Sequence, residues 1–162
     1  MGETTATNGP VATTIACFKI CTLCGETWKS REAFLADPCV RVIGYQVHFQ
    51  DLEAGLFLFN HDACRTTLAI DASRFTDLYH GPTFTARRTE TEDCPSYCLH
   101  KGELRPCPAE CECAYVRDVL DTVARWEKAP LPVGSLDSNR NRSRLGGILG
   151  RPSETIEGFR CL

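Results

Sequence analysis

Three short stretches in the middle of the chain are dense in apolar residues. The first, at 40–49, reads Val-Arg-Val-Ile-Gly-Tyr-Gln-Val-His-Phe, and its β-branched and aromatic residues are typical of a strand. Two further stretches, at 56–60 and 66–70, follow it with short connections. Because short connections join neighbouring antiparallel strands, the pattern predicts a three-stranded antiparallel meander.

Helical signals lie on both sides of these strands. Ser30 is a suitable cap for a short helix that Pro38 then ends, and Asp71 is expected to cap another that ends near Tyr79. The clearest helix follows Cys113, where apolar residues recur at spacings of three and four and so share one face. These residues are Val116, Val119, Leu120, Val123 and Trp126.

The predicted fold is a small α+β domain over residues 15–128. It combines a small antiparallel β-meander, a C-terminal amphipathic helix and two Cys-rich metal-binding segments. Residues 1–14 offer little to bury, so we expect a disordered N-terminal lead. Residues 129–162 contain Pro, Gly and Arg without an apolar period, and they are predicted to form a flexible tail.

Eleven cysteines are the most unusual feature of the composition. The first residues have neither the basic nor the apolar region of a secretory signal peptide, and the longest apolar stretch, 55–59, is too short to span a bilayer. We therefore expect a cytoplasmic protein without membrane insertion. Under the reducing conditions of the cytoplasm, clustered cysteines bind metal more often than they pair as disulfides.

Charge is unevenly distributed along the chain. The net charge is −3, and residues 130–162 hold five Arg against three acids, which leaves about −5 for the remainder. A nucleic-acid partner requires a basic face that neutralises phosphates. The acidic body therefore argues against nucleic-acid binding.

The first candidate metal site starts from the C-x-x-C-G stretch at Cys21 and Cys24, which resembles the metal knuckles of zinc ribbons and rubredoxin-like folds in local geometry only. Two intervening residues let both sulfurs face one ion, and the glycine tolerates the positive φ of such a turn. His61 and Cys64, three residues apart between two predicted strands, are the best source of the other ligands. The predicted shell has three sulfurs and one nitrogen, a common structural zinc set.

These residues also have other interpretations. Cys17 and Cys39 compete for the fourth position, although we interpret both as small buried hydrophobic residues. His61 alone is consistent with an ordinary loop histidine. A thioredoxin-type redox pair is the rival for Cys21 and Cys24, and it is disfavoured because no βαβ pattern surrounds them.

The second candidate site consists of five thiols spaced C-x3-C-x8-C-x3-C-x-C. The last two fall at the start of the clearest helix, where unpaired N–H groups and the helix dipole favour thiolates. Four thiolates suit zinc or a [4Fe–4S] cluster, and the spacing differs from the ferredoxin runs. One thiol is left over, and His100 is an alternative ligand. The five thiols are Cys94, Cys98, Cys107, Cys111 and Cys113.

The sequence favours a non-enzymatic zinc-binding protein with one or two zinc sites, and no catalytic residue is assigned. It would act as a protein-interaction module or as an accessory subunit of a larger complex, with 129–162 as the docking segment for a protein partner. The alternative is an iron–sulfur electron-transfer or redox-sensing protein with its cluster over 94–113. A thiol-based enzyme is the third hypothesis, and Cys161 is left as a free thiol on the tail.

Overall fold

A computed structural model gives the fold, and its described part covers residues 17–131. The predicted lead over 1–14 and most of the predicted tail over 129–162 lie outside this part. In chain order the elements are β1 (Lys19–Ile20), β2 (Thr27–Trp28), α1 (Arg31–Ala36), β3 (Val40–Gln46), β4 (Leu56–His61), β5 (Thr66–Asp71) and α2 (Ala114–Ala124). Short 3-10 turns lie at Leu52–Ala54, Ala72–Arg74, Thr76–Leu78 and Tyr97–Leu99.

The central sheet is an antiparallel meander in the order β3-β4-β5, which confirms the predicted topology. β3 is shorter than predicted, because it ends at Gln46 instead of continuing to 49. The chain turns there, and the Asp51 N–H donates to the His48 carbonyl at 3.2 Å. A bulge between Val42 and Gly44 shifts the register against β4.

One face of this sheet carries an aromatic core. Phe57 and Phe59 alternate with less buried positions along β4. Their ring centroids lie 5.4 and 5.9 Å from that of Phe75, and Phe34 of α1 lies 4.9 Å from Phe59. Burial of each Phe side chain contributes about 1.5–3 kcal/mol, so this group of rings fixes α1 against the sheet.

Helix α1 follows from local signals. The Ser30 hydroxyl accepts a hydrogen bond from the Ala33 N–H at 3.1 Å, which is an N-cap. Asp37 is extended, as expected for a residue before proline, and the helix ends at Ala36.

The helix expected after Asp71 is not formed. Two 3-10 turns, Ala72–Arg74 and Thr76–Leu78, take its place, and the Asp71 side chain makes no capping hydrogen bond. Phe75 separates the turns with a non-helical backbone (φ −131°, ψ −6°) and a fully buried ring. Placement of this ring in the core overrides the local helical preference.

Helix α2 packs against β3 and against the Thr76–Leu78 turn. The helix ends at Ala124, so that Trp126 lies beyond it and is half-buried. Within residues 17–131, no helix combines the length and apolar character needed to cross a membrane. The buried residues of α2 are Ala114, Val116, Arg117, Val119, Leu120 and Val123.

The segment between β5 and α2 is attached to the sheet at Gly44. The neighbouring Tyr45 N–H donates to the Lys101 carbonyl at 2.9 Å. A Cβ atom on Gly44 would clash with that carbonyl oxygen, so only glycine permits this approach. The contact places the Cys-rich segment beside β3.

Candidate metal centre

The hairpin β1–β2 holds the C-x-x-C-G turn. Its strands are only two residues long and pair Lys19 with Trp28. Within the turn, the Cys21 N–H donates to the Glu26 carbonyl at 2.8 Å, and the Gly25 N–H donates to the Cys21 carbonyl at 2.9 Å. Gly25 has a φ of 79°, the left-handed conformation that the sequence predicted for this glycine.

The other half of the centre lies at the turn between β4 and β5. His61 is the last residue of β4 and pairs with Thr66 of β5. The N–H groups of Cys64 and Arg65 donate to the His61 carbonyl at 3.3 and 2.8 Å, and Arg65 has a positive φ of 60°. This tight turn brings the Cys64 thiol back towards the imidazole.

The structure brings Cys21, Cys24, His61 and Cys64 together, with all four donor atoms within 4.8 Å of one another. The sulfurs of Cys21 and Cys64 are 3.6 Å apart, and the His61 Nδ1 lies 3.6 Å from the Cys24 sulfur and 3.3 Å from the Cys64 sulfur. A tetrahedral zinc ion with bonds of about 2.3 Å to sulfur and about 2.0 Å to nitrogen requires donor separations of roughly 3.5–3.8 Å. The donor set therefore fits one zinc ion.

The centre is shielded on its inner side. Cys21 is 1% exposed and His61 is 2% exposed. The Trp28 ring meets the imidazole edge to face at 5.1 Å, and its indole N–H donates to the Asp37 carboxylate at 2.8 Å. Cys24 is the exposed member of the set, so this side of the donor set faces solvent.

The thiols of the set have opposing pKa shifts. Burial opposes ionisation of Cys21, but hydrogen bonds from the backbone of Cys24 and from His61 outweigh it and lower the pKa of Cys21 to about 6. Burial raises the pKa of Cys64 to about 11, and the nearby Cys21 thiolate adds to this shift. A divalent cation would stabilise both thiolates at once.

The second group of cysteines is assembled only in part. The sulfurs of Cys98 and Cys113 are 2.9 Å apart, and those of Cys113 and Cys111 are 3.5 Å apart, all three in a buried cluster. Cys94 and Cys107 are half-buried. Among residues 17–131, the Cys21 set is the one group whose donors all lie within 4.8 Å of one another.

None of the other described candidates belongs to the Cys21 donor set. Cys17 is half-buried, and Cys39 is bonded through its backbone to Asp37 and Asp62. His100 is exposed, and Cys161 lies outside the described residues.

Sequence reasoning missed Arg117, which is fully buried one helical turn after Cys113. Its position in the apolar stripe of α2, next to Val116 and three residues before Leu120, was the available signal.

No family model, curated protein or solved structure matches this chain.

Proposed function

We propose that this chain is a non-enzymatic zinc-binding module, in which Cys21, Cys24, His61 and Cys64 hold one structural zinc ion. The observation that carries the proposal is that all four donors lie within 4.8 Å of one another, with three of the six separations at 3.3–3.6 Å, close to the edges of a tetrahedral zinc site. Three sulfurs and one imidazole nitrogen form a closed shell. Because structural zinc sites are closed and catalytic ones keep a position for water, this donor set supports a structural role.

The zinc ion would connect two parts of the chain that are far apart in sequence. The hairpin β1–β2 has two-residue strands, too short for independent stability. The meander supplies His61 and Cys64 at its β4–β5 turn. A zinc ion shared between them would fix the hairpin on the edge of the sheet.

The interaction role rests on two apolar residues beside this centre. Ile20 is 48% exposed and Leu23, within the C-x-x-C turn, is 66% exposed. Both flank Cys21, so zinc binding would hold them in a fixed arrangement. We propose that this pair, here named the knuckle patch, contacts a protein partner as an apolar anchor.

The metal proposal is tested by zinc content per chain, measured by plasma mass spectrometry on protein purified without oxygen. Cys24→Ser should lose about one zinc ion relative to the unmodified chain, because a hydroxyl is a poor replacement for a thiolate ligand. Cys17→Ser is the matched control, since it removes a thiol outside the donor set and should lose none. Equal zinc in both variants would overturn the proposal.

The interaction proposal is tested separately. The tagged full chain is used to isolate partners from its source cells, and each partner is quantified with the double variant Ile20→Ser/Leu23→Ser. Leu99→Ser is the control, because Leu99 is also 48% exposed but lies on the Tyr97–Leu99 turn. A partner retained by Leu99→Ser and lost by the double variant supports the knuckle patch; equal retention by both argues against it.

A further inference from the structure

Arg117 is a buried cation that forms no ion pair among the described residues. Its side chain is 0% exposed, and the Nε and Nη2 groups donate to the Arg105 carbonyl at 3.1 and 2.6 Å. Its Nη1 is buried without a hydrogen-bond partner. Because burying a charge without a counter-charge is strongly unfavourable, this position implies a negative group nearby.

The negative groups near Arg117 are mainly sulfurs. Burial lowers the pKa of Arg117, while negative charges on Cys98, Glu103, Cys107 and Cys113 raise it. Glu103 is already bound by the side chain of Arg105. The sulfurs of the second cysteine group are therefore the candidate counter-charge for the Arg117 guanidinium.

Three sulfurs of this group lie close together in two pairs. Cys113 lies 2.9 Å from Cys98 and 3.5 Å from Cys111, sulfur to sulfur. The Arg88 N–H donates to the Cys111 sulfur at 3.2 Å. All three cysteines are at most 5% exposed, and ionising three buried sulfurs this close together would require a cation.

Cys107 is the best fourth ligand. It is half-buried, and the Arg117 guanidinium donates to the Arg105 carbonyl two residues before it, which holds this part of the chain against α2. Cys94 accepts a hydrogen bond from the Ser96 N–H at 3.4 Å.

We propose that Cys98, Cys107, Cys111 and Cys113 bind a second zinc ion, with Arg117 as its buried counter-charge. Four thiolates around one Zn²⁺ carry a net charge of about −2, which a buried guanidinium partly neutralises. The 3.5 Å separation of the Cys111 and Cys113 sulfurs is close to the roughly 3.8 Å of two sulfurs on one zinc ion, and the 2.9 Å separation of Cys98 and Cys113 would widen on binding. This centre does not depend on the zinc ion proposed at Cys21.

Zinc content of single variants tests the second centre separately from the first. The unmodified chain should carry about two zinc ions, and either Cys113→Ser or Cys64→Ser should leave about one. Cys107→Ser should also leave about one, while Cys94→Ser and Cys17→Ser keep both. If Cys64→Ser loses a zinc ion and Cys113→Ser loses none, the second centre is overturned and the first stands. If Cys113→Ser loses a zinc ion and Cys64→Ser loses none, the first centre is overturned and the second stands.

Other outcomes of the same preparation would also overturn the proposal. Iron with acid-labile sulfide, lost together in Cys113→Ser, would identify an iron–sulfur centre. A disulfide between Cys98 and Cys113, found in protein kept from oxygen, would show that these cysteines are oxidised and do not bind a metal ion. If Cys113→Ser fails to fold, cobalt is added to Cys64→Ser in its place. Thiolate-to-cobalt charge-transfer absorption then supports the second site, and the absence of this absorption overturns the second site.

The role of Arg117 has its own readout, the retention of zinc against a competing chelator. Arg117→Gln should release the second zinc ion at least about tenfold faster than the unmodified chain. Arg117→Lys should release it at an intermediate rate, because lysine keeps the positive charge. Arg105→Gln is the control, since the Arg105 side chain is exposed. Retention of the first zinc ion in Arg117→Gln verifies folding, and unchanged release of the second would overturn the counter-charge assignment.

Discussion

His61 belongs both to the central sheet, through its backbone, and to the candidate metal centre, through its side chain. Its backbone closes β4 in register with Thr66, while its Nδ1 lies within 3.6 Å of two cysteine sulfurs. Trp28 covers the imidazole and is itself held by Asp37. The orientation of the ligand is therefore fixed by core packing, as is usual for metal sites whose surroundings are hydrogen-bonded.

Zinc binding at the Cys21 set should release protons, and Cys64 determines much of this effect. The pKa of Cys64, raised to about 11, keeps its thiol protonated at pH 7, so zinc must displace that proton. Calorimetric zinc titration of metal-free protein in buffers with different ionisation heats should show proton release at this site in Cys17→Ser, whereas Cys64→Ser, which should not hold this zinc ion, should lose that release. Equal release from the two variants would contradict this.

The pH dependence of zinc affinity has a definite sign. Each thiol binds zinc only after losing its proton, so affinity falls as pH falls. Between the pKa of about 6 for Cys21 and that of about 11 for Cys64, about one proton is displaced from this pair. Below pH 6 a second proton competes, and chelator competition should show a steeper loss of affinity there.

At the scale of elements, local signals predict those parts of the fold that local hydrogen bonds fix. Ser30 caps α1 through a bond to a residue three positions away. The meander likewise follows from short connections between apolar stretches. The hairpin β1–β2 was not predicted, because two-residue strands show no alternation and they are joined through the C-x-x-C-G turn.

The junction between β3 and the Cys-rich segment should be sensitive to one methyl group. Gly44→Ala is expected to destabilise the fold by about 1–3 kcal/mol, because its Cβ would clash with the Lys101 carbonyl. Gly102→Ala is the matched control, since no atom lies within 4 Å of a Cβ there. Urea unfolding of both variants measures the difference, and equal midpoints would contradict the close contact.

For the whole molecule, the metal proposals make folding depend on zinc. Structural zinc contributes about 10–16 kcal/mol, comparable to the total stability of about 5–15 kcal/mol for a domain. A strong chelator should lower the thermal midpoint by more than about 10 °C and speed trypsin cleavage after Lys29, an exposed residue beside the hairpin whose backbone the fold holds in place. Restoring zinc should reverse both changes, and an unchanged midpoint in metal-free protein would contradict this dependence.

The sequence by itself determined which metal-donor side chains the chain carries and which of them lie close together along the chain. Cys21 with Cys24, and His61 with Cys64, are pairs set by turns of a few residues, and local backbone conformation fixes such pairs. The sequence also predicted that these two pairs share one ion, but the tertiary structure decided how closely their donors approach, because the register of β4 and β5 sets where His61 lies.

Tertiary structure also decided the burial of Arg117. Its helical position places it among apolar residues, but only the packing of α2 against the Cys-rich segment removes its guanidinium from water. Similarly, Phe75 interrupts a locally favoured helix because its ring completes the aromatic core. Spacing fixes short-range geometry, whereas burial and charge pairing depend on residues distant in the chain that only folding brings together.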